Sequence, residues 1–486
     1  MRKKSLLLLS LILLICLFLR LFKLNELFYF TMDEELIAFR SWGLFILKRP
    51  FLIGAASPLQ FHLPPYFFYL SALLLLPFKF NPAGWGISSA LISILTTYFL
   101  FRLVKKIFNK KIALLSSLFY SVSFTAVFFD RHYWPMSLSP LLIILALLLL
   151  TKKRSGLGLA GILTLGLSAD PSNIPLALTI MFAKIKSKIT TLVVFLVLFL
   201  TPLILFDLRH QWTNFLGISR FFSTTSNHQF ALSNVVNALL LLPRSLARFW
   251  FSPQTDLLQL HGYCIPFAQA RQKNLSLILV ILAIIILTWF IRQSLKSKSS
   301  ILKAIARLLI FYLLGMTIFG ALGFSLFDHY FTGLLPIFAL ITVLVISKLP
   351  KFFQLILVIL FVTVNLWQIT KVQNPYGLKA KQDLVVWANQ QLTGQPFALD
   401  SVSKCHRENG LRYLFEISNN PPAISFIDQN FAWLYQQPPA TVMPDKVLLV
   451  TDKTIPPSQP VINSAQFGAM KAYILDNSQQ TYELSY

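Results

Sequence analysis

Long apolar runs, each bounded by a short cluster of lysine and arginine, dominate this chain and set what it can become. The first reads MRKKSLLLLSLILLICLFLRLF. Others lie near 62–78, 84–101, 112–129, 136–151, 156–168, 173–184, 189–206, 274–291, 302–326, 329–347 and 352–369. A helix that crosses a bilayer takes about 20 such residues. The pattern therefore predicts a polytopic α-helical membrane protein with about 11–13 transmembrane helices. Hydrophobic residues make up 56% of the 486 and charged residues 13%, half the charge of an ordinary soluble domain. The 43 basic against 18 acidic residues give a net charge of +25. A free basic surface would suggest nucleic acid. Here the cations sit in loops, at Arg102/Lys105/Lys106/Lys110/Lys111, Lys152/Lys153/Arg154, Lys184/Lys186/Lys188, Arg292/Lys296/Lys298 and Lys348/Lys351. That is the cytoplasmic-loop pattern, so the partner is the lipid bilayer and no nucleic acid is expected.

Placing those clusters inside makes the N-terminus cytoplasmic. A basic start before an apolar run also describes a signal peptide, but Arg20, Leu21, Phe22 and Lys23 follow in place of a small-x-small cleavage site, so an uncleaved first span is expected. The parse leaves one conflict: the region 62–101 must cross once in net terms. Pro64, Pro65 and Pro77 allow 62–78 to be a half-buried, bent segment. The stretch 233–250 carries Pro243, Arg244 and Arg248 and reads as interfacial or re-entrant. Outer loops are expected at 23–61 and 207–273, and residues 1–370 form one membrane domain.

Beyond residue 370 the composition changes. Residues 371–486 hold half of the acidic residues, with turn pairs at Pro421-Pro422 and Pro438-Pro439. Helical periodicity appears in LKAKQDLVVWANQQL and RENGLRYLFEI, and strand-like runs at 397–399, 446–450 and 472–475. A small extracytoplasmic α/β domain is expected.

The acidic residues before position 370 (Glu26, Asp33, Glu34, Glu35, Asp130, Asp170, Asp207, Asp256 and Asp328) all fall at outer boundaries. So do His62, His132, His210, His228, His261 and His329. The charge bias that orients helices does not require this gathering, which points to a site at the outer face. Its strongest element is Thr31-Met32-Asp33-Glu34-Glu35. Thr31 and Glu34 fit a capping box, and Leu36, Ile37, Phe39, Trp42, Phe45 and Ile46 continue as an interfacial helix. Asp33 and Glu34 either cap that helix and complement its dipole, or act; carboxylates beside lipid are costly unless paired or used. The other elements are His62-Leu63-Pro64-Pro65-Tyr66, Asp130-Arg131-His132-Tyr133-Trp134, Ser168-Ala169-Asp170-Pro171, Phe206-Asp207-Leu208-Arg209-His210 and Phe327-Asp328-His329-Tyr330. Each has a plain reading as a boundary set, Asp130 with Arg131 as a loop pair among them. No Walker loop, GxGxxG, GxSxG or HExxH is present. A divalent cation on Asp33 and Glu34 is compatible with the residues; no cofactor is required.

Taken together these pieces resemble the GT-C superfamily of membrane glycosyltransferases, in its protein O-mannosyltransferase and aminoarabinose transferase branch (glycosyltransferase family 39-like). The likeness rests on Asp33-Glu34 after the first span, Pro64-Pro65 at the head of the next, Arg131 in an outer segment, FDLRH at 206–210 and the DHYF beginning at 328. It implies a GT-C fold and transfer of one sugar from a polyprenyl-phosphate carrier to a hydroxyl of an acceptor protein, lipid or glycan, at the outer face of the plasma (inner) membrane. A hydroxyl needs a carboxylate to take its proton. That role falls to Asp33, with Glu34 positioning it or holding acceptor or ion. The leaving phosphate needs cations and donors; Arg131, Arg209, His329 and Tyr330 are the candidates, with His62 and His210 beside them. A direct displacement with one base inverts the anomeric centre. The competing readings are a transporter or flippase of a lipid-linked or anionic solute, and a lipid-linked glycan polymerase or ligase. Transporters place polar groups near the midplane, so the depth at which Asp33, Arg131 and His329 meet discriminates.

Overall fold

In the computed structural model the described residues are 3–57, 61–152, 155–183, 187–225, 232–252, 275–324, 326–402, 410–453, 459–479 and 481–484. Asp256, His228 and His261, and with them much of the expected outer loop 207–273, lie outside the described residues.

The chain opens with α1 (Lys3–Leu21), a short turn of helix α2 (Leu24–Leu27) and helix α3 (Met32–Phe45). There follow α4 (Tyr66–Leu75), α5 (Ala83–Ile107), α6 (Lys110–Val122), α7 (Phe124–Asp130), α8 (Ser139–Leu149), α9 (Gly156–Ala169) and α10 (Ile174–Met181). Then come α11 (Lys188–Arg209), α12 (Thr213–Thr225), α13 (Leu232–Trp250), α14 (Leu277–Lys296), α15 (Ser300–Ala321), α16 (Leu335–Ile346) and α17 (Lys351–Lys371). Among the described residues seven helices are long and apolar enough to cross a membrane, or eight if α6 and α7, bent by 63° at their junction, count as one. Three shorter apolar helices, Tyr66–Phe78, Pro135–Leu149 and Gly156–Ala169, add to these. The expected 11–13 therefore exceeds the number of full-length spans, because several apolar runs fold as short helices buried inside the bundle.

Two local causes are visible. At Ser123 the chain breaks between α6 and α7: the Asn365 side chain accepts from Phe124 N at 2.7 Å and satisfies the amide that the break exposes. At Leu76-Pro77 the chain leaves α4 through a 3-10 turn and reverses into the 25-residue α5. Ten residues make α4 about 15 Å long, half the thickness of a hydrocarbon core. The bent, half-span alternative for 62–78 is the one the chain adopts. Helix α13 carries Pro243 within it and buries one face, including Leu241, Leu242, Leu246 and Phe249, against the bundle.

The fold is tied internally by a polar cluster that no local pattern announces. Arg20, fully buried at the end of α1, donates to Asp130 Oδ2 from Nε at 3.1 Å and from Nη2 at 2.7 Å. It also donates to the backbone carbonyls of Tyr120 and Ser121, and Tyr120 Oη donates to Asp130 at 3.0 Å. A buried guanidinium needs such partners for its several N–H groups. The alternative reading of Asp130 and Arg131 as a loop pair does not hold: Asp130 pairs with Arg20 of α1.

Past α17 the chain forms a mixed sheet flanked by helices, with α18 (Leu378–Gln391), β1 (Phe397–Val402), α19 (Leu411–Ile417), β2 (Ile424–Ser425), β3 (Lys446–Thr451), β4 (Val461–Phe467) and β5 (Met470–Asp476). The sheet order is β2-β1-β3-β5-β4, with β1 parallel to β2 and β3, and β5 antiparallel to β3 and β4. This domain is docked on the segment between α1 and α3. Leu378 N donates to Phe28 O at 3.0 Å, and the buried Lys381 ammonium donates to Phe30 O. Glu35, fully buried, accepts from Gly410 N at 2.8 Å and Tyr413 N at 2.9 Å, so a membrane-domain carboxylate caps the start of α19. Gly410 makes this approach feasible: its φ is +100°, and a Cβ there would lie 2.6 Å from the Phe30 ring.

Candidate active site

The expected capping box is formed. Thr31 donates to Glu34 Oε2 from its amide at 3.1 Å and from its hydroxyl at 2.9 Å. Glu34 is fully buried, and its other oxygen lies 3.7 Å from His132 Nδ1. Successive residues on a helix point about 100° apart. So the three carboxylates of this turn separate: Glu34 goes inward to Thr31 and His132, Glu35 goes to the C-terminal domain, and Asp33 alone lines a cavity.

That cavity encloses about 160 Å³. Its polar groups are Asp33, Ser57, Asp170 and His329, and its walls include Trp134 and Phe68. Asp170 sits in the turn between α9 and α10, where its Oδ1 accepts from Ser172 N at 2.7 Å. Burial pushes the Asp170 carboxyl above the usual carboxylate range, against that hydrogen bond. His329 stands edge-on to Trp134, with ring centroids 4.7 Å apart, and is stacked on Phe327 at 5.1 Å. Asp33, Asp170 and His329 lie at element ends: the first turn of α3, the α9–α10 turn, and the 3-10 turn Asp328–Leu334 ahead of α16.

A second, larger cavity of about 610 Å³ adjoins the first and shares Met136, Asp170, Pro171 and His329 with it. It runs between α10 and α15 past Leu178, Phe311, Leu314 and Phe319, with Tyr330 at its polar end. Leu178, Leu314 and Ile318 on its rim are exposed, so on a membrane-embedded chain this groove opens to lipid.

The remaining expected site residues are placed elsewhere. His62 is bridged to Ala56 in the loop between α3 and α4; its Nδ1 lies 3.2 Å from Gly54 O and its amide donates to Asn214. Burial lowers its pKa, and the Arg40 charge nearby adds to that. Arg131 is buried and donates to Leu19 O at 2.7 Å, closing the end of α1. Arg209 and His210 are exposed at the end of α11, with the His210 ring stacked on Phe206 at 4.0 Å. Thus Asp33, His329 and Tyr330 are brought together, and His62, Arg131, Arg209 and His210 do not line either cavity. Asp170 is the residue that sequence reasoning named as a turn and gave no role; its outer position beside a proline was the available sign. Among the described residues no three His, Cys, Asp or Glu side chains come together to hold a metal ion. Glu34 does not face Asp33, so the pair does not form a two-carboxylate site.

No family model and no curated protein matches the sequence. Solved structures do match in fold. ArnT from Cupriavidus metallidurans in the apo state superposes with a TM-score of 0.55 over 99% of this chain and 99% of its own, at 10% identity. The chain shares the fold of ArnT. The same protein bound to undecaprenyl phosphate gives a TM-score of 0.47 at 12% identity over 98% of each chain. The Archaeoglobus fulgidus oligosaccharyltransferase in complex with Zn and sulfate gives 0.45 at 12% identity, over 86% of this chain and 62% of its own. The apo ArnT match spans the helical bundle and the C-terminal sheet domain alike. The fold expected from the sequence, a polytopic helical bundle with a small C-terminal α/β domain, is thus the fold of this chain.

Proposed function

We propose that this chain is an inverting glycosyltransferase that moves a sugar from a polyprenyl-phosphate carrier to an acceptor hydroxyl. The observation that carries the reading is the pair of adjoining cavities: a small one into which Asp33, Asp170 and His329 bring polar groups, and a long apolar one open to lipid. An isoprenoid tail fits the apolar groove, and its phosphate then lies at the shared residues, beside His329 and Tyr330. Asp33 takes the proton of the acceptor hydroxyl as that oxygen attacks the anomeric carbon. The carbon–oxygen bond to the phosphate breaks, and the carrier phosphate leaves as an anion that needs no proton. The His329 ring and Tyr330 hydroxyl donate to it. One base and one displacement invert the anomeric centre. Asp170, raised by burial, orients the sugar or shares the base role.

Asp33, Asp170 and His329 meet at element ends, and a folded domain covers the same end of the bundle. That arrangement suits a reaction at one membrane face better than the midplane site a transporter uses. The basic loop clusters support a cytoplasmic N-terminus, with the cavity and residues 371–486 on the extracytoplasmic side of the plasma (inner) membrane.

The test is release of free polyprenyl phosphate from polyprenyl-phosphate sugars by the purified full chain, with the product anomer read by NMR. Release with inversion is expected. Gly315 lines the groove, and a Cβ there would approach nothing closer than 4.0 Å. Gly315→Leu should fill the groove and raise the carrier KM. No release from a panel of carrier-linked hexoses and pentoses refutes the reading.

A further inference from the structure

We infer that Arg40 is an oxyanion-binding group on the acceptor side of this cavity, taking a phosphate or carboxylate that the acceptor carries. The inference rests on the transferase reading above and extends it to the second substrate.

Arg40 is 9% exposed. No described residue accepts a hydrogen bond from its guanidinium, and its Nε is wholly enclosed without a partner. The Tyr69 hydroxyl nearby is engaged with the Phe51 backbone, accepting from its amide at 3.2 Å and donating to its carbonyl at 2.9 Å. What surrounds the cation is aromatic. Its central carbon lies 4.3 Å from the Trp433 ring centroid, 4.9 Å from that of Phe51 and 5.7 Å from that of Phe68. Rings over the faces of a guanidinium offset part of its desolvation but satisfy none of its five in-plane N–H donors. Arg20, Arg131 and Lys381, buried at least as deeply, each have an oxygen acceptor: Arg20 on Asp130, Arg131 on Leu19 O, Lys381 on Phe30 O. Arg40 stands out as a buried cation whose donor edge is unused. Burial lowers its pKa to about 10, still well above neutrality, so it remains charged.

Its position decides which substrate it meets. Asp33, Leu36 and Ile37 line the cavity from α3. Arg40 lies seven residues beyond Asp33, on the same helical face and about 10 Å along the axis. Phe68 both lines the cavity and packs near Arg40. The apolar groove opens from the α10–α15 side, past Asp170 and His329. Arg40 faces α4 and the outer domain instead, where Trp433, 56% exposed, forms one wall. An acceptor arriving from outside the membrane therefore passes the Arg40–Trp433 pair on its way to Asp33. Arginine suits this role, because its fork grips two oxygens of one oxyanion while its faces stay stacked.

The test uses the full chain in maltoside micelles, with inorganic phosphate as the probe and acetate as competitor. Phosphate should broaden its own ³¹P resonance on wild type and raise the Tm. Arg40→Gln should weaken binding at least about tenfold, as loss of a charge-assisted contact does, and Arg40→Lys should restore only part. Competition by acetate identifies a carboxylate-tolerant site, and its absence a phosphate site; both support an oxyanion pocket. Asp33→Asn should bind phosphate as wild type does, so failure of the catalytic reading does not mask this result. If Arg40→Gln does not fold, Trp433→Ala at its exposed position should weaken phosphate in the same sense. Unchanged phosphate affinity in folded Arg40→Gln, or in Trp433→Ala, overturns the proposal. Loss of polyprenyl-phosphate binding in Arg40→Gln also overturns it, by assigning Arg40 to the donor.

Discussion

Removing the Asp130 carboxylate should destabilise the bundle severely without touching the cavity chemistry. In Asp130→Ala, Arg20 loses its carboxylate partner, with both the 2.7 Å and 3.1 Å contacts, and among the described residues keeps the carbonyls of Tyr120 and Ser121. The Tyr120 hydroxyl loses its acceptor as well. Arg20 cannot turn to water, because it is fully buried. Breaking one side of a buried pair costs about 3–5 kcal/mol, enough to consume much of the stability of a typical domain. The companion variant Arg20→Met with Asp130→Leu removes both charges, and such replacements are often near neutral. The assay is thermal or denaturant unfolding of the purified chain in one detergent, read on all three proteins. Asp130→Ala within about 1 kcal/mol of wild type, below the range for a broken buried pair, would refute the claim that this pair ties α1 to α7.

Glu35 should make docking of the C-terminal domain pH-dependent. Burial pushes its carboxyl up to about 7, outweighing the two backbone hydrogen bonds and the nearby Lys381 and Arg412 charges. A raised folded pKa contributes stability below the unfolded value of 4.5 and loses it as pH rises through about 7. Protection of residues 410–417 in hydrogen exchange should therefore fall over that window, by about 3 kcal/mol at most, and Glu35→Gln should flatten the profile. Arg209→Lys and His210→Gln, at exposed positions outside both cavities, should leave transfer within about twofold of wild type; a loss approaching the 10²-fold of a catalytic group would put the end of α11 in the site. Transfer measured with and without EDTA should be the same if no divalent ion is used, and restoration of an EDTA-lost activity by Mg²⁺ or Mn²⁺ would make the ion part of the mechanism.

Much of this architecture is legible locally. The Thr31–Glu34 box, the α18 helix and the strands β1, β3 and β5 fall where short-range pattern puts them, since caps and periodicity are set by neighbours in sequence. Strand β4 escapes because VINSAQF is polar and lies mostly exposed at the sheet edge, where neither alternation nor β-propensity marks it. The division of labour among Asp33, Glu34 and Glu35 escapes for a different reason. It depends on His132 and on residues 410–413, brought up by the tertiary fold. Arg20 with Asp130 is likewise a contact across 110 positions. The cage around Arg40 draws on segments near 51, 68 and 433. The apolar runs announced helices but not which of them would be short, because that is settled by breaks such as the one Asn365 satisfies.

The account stands most directly on Asp33. Asparagine at this position keeps the size and can still complement the start of α3, but it cannot accept a proton at neutral pH. A dipole or capping role would cost about 1 kcal/mol of stability and leave turnover intact, whereas a general base contributes about 10²–10⁴-fold in rate. The measurement is sugar transfer from a polyprenyl-phosphate donor by folded Asp33→Asn protein, normalised to donor bound. The account expects a loss of about 10²-fold or more with donor binding retained. Turnover within about threefold of wild type, far short of a general base's contribution, would contradict it and leave the proposed mechanism without its base.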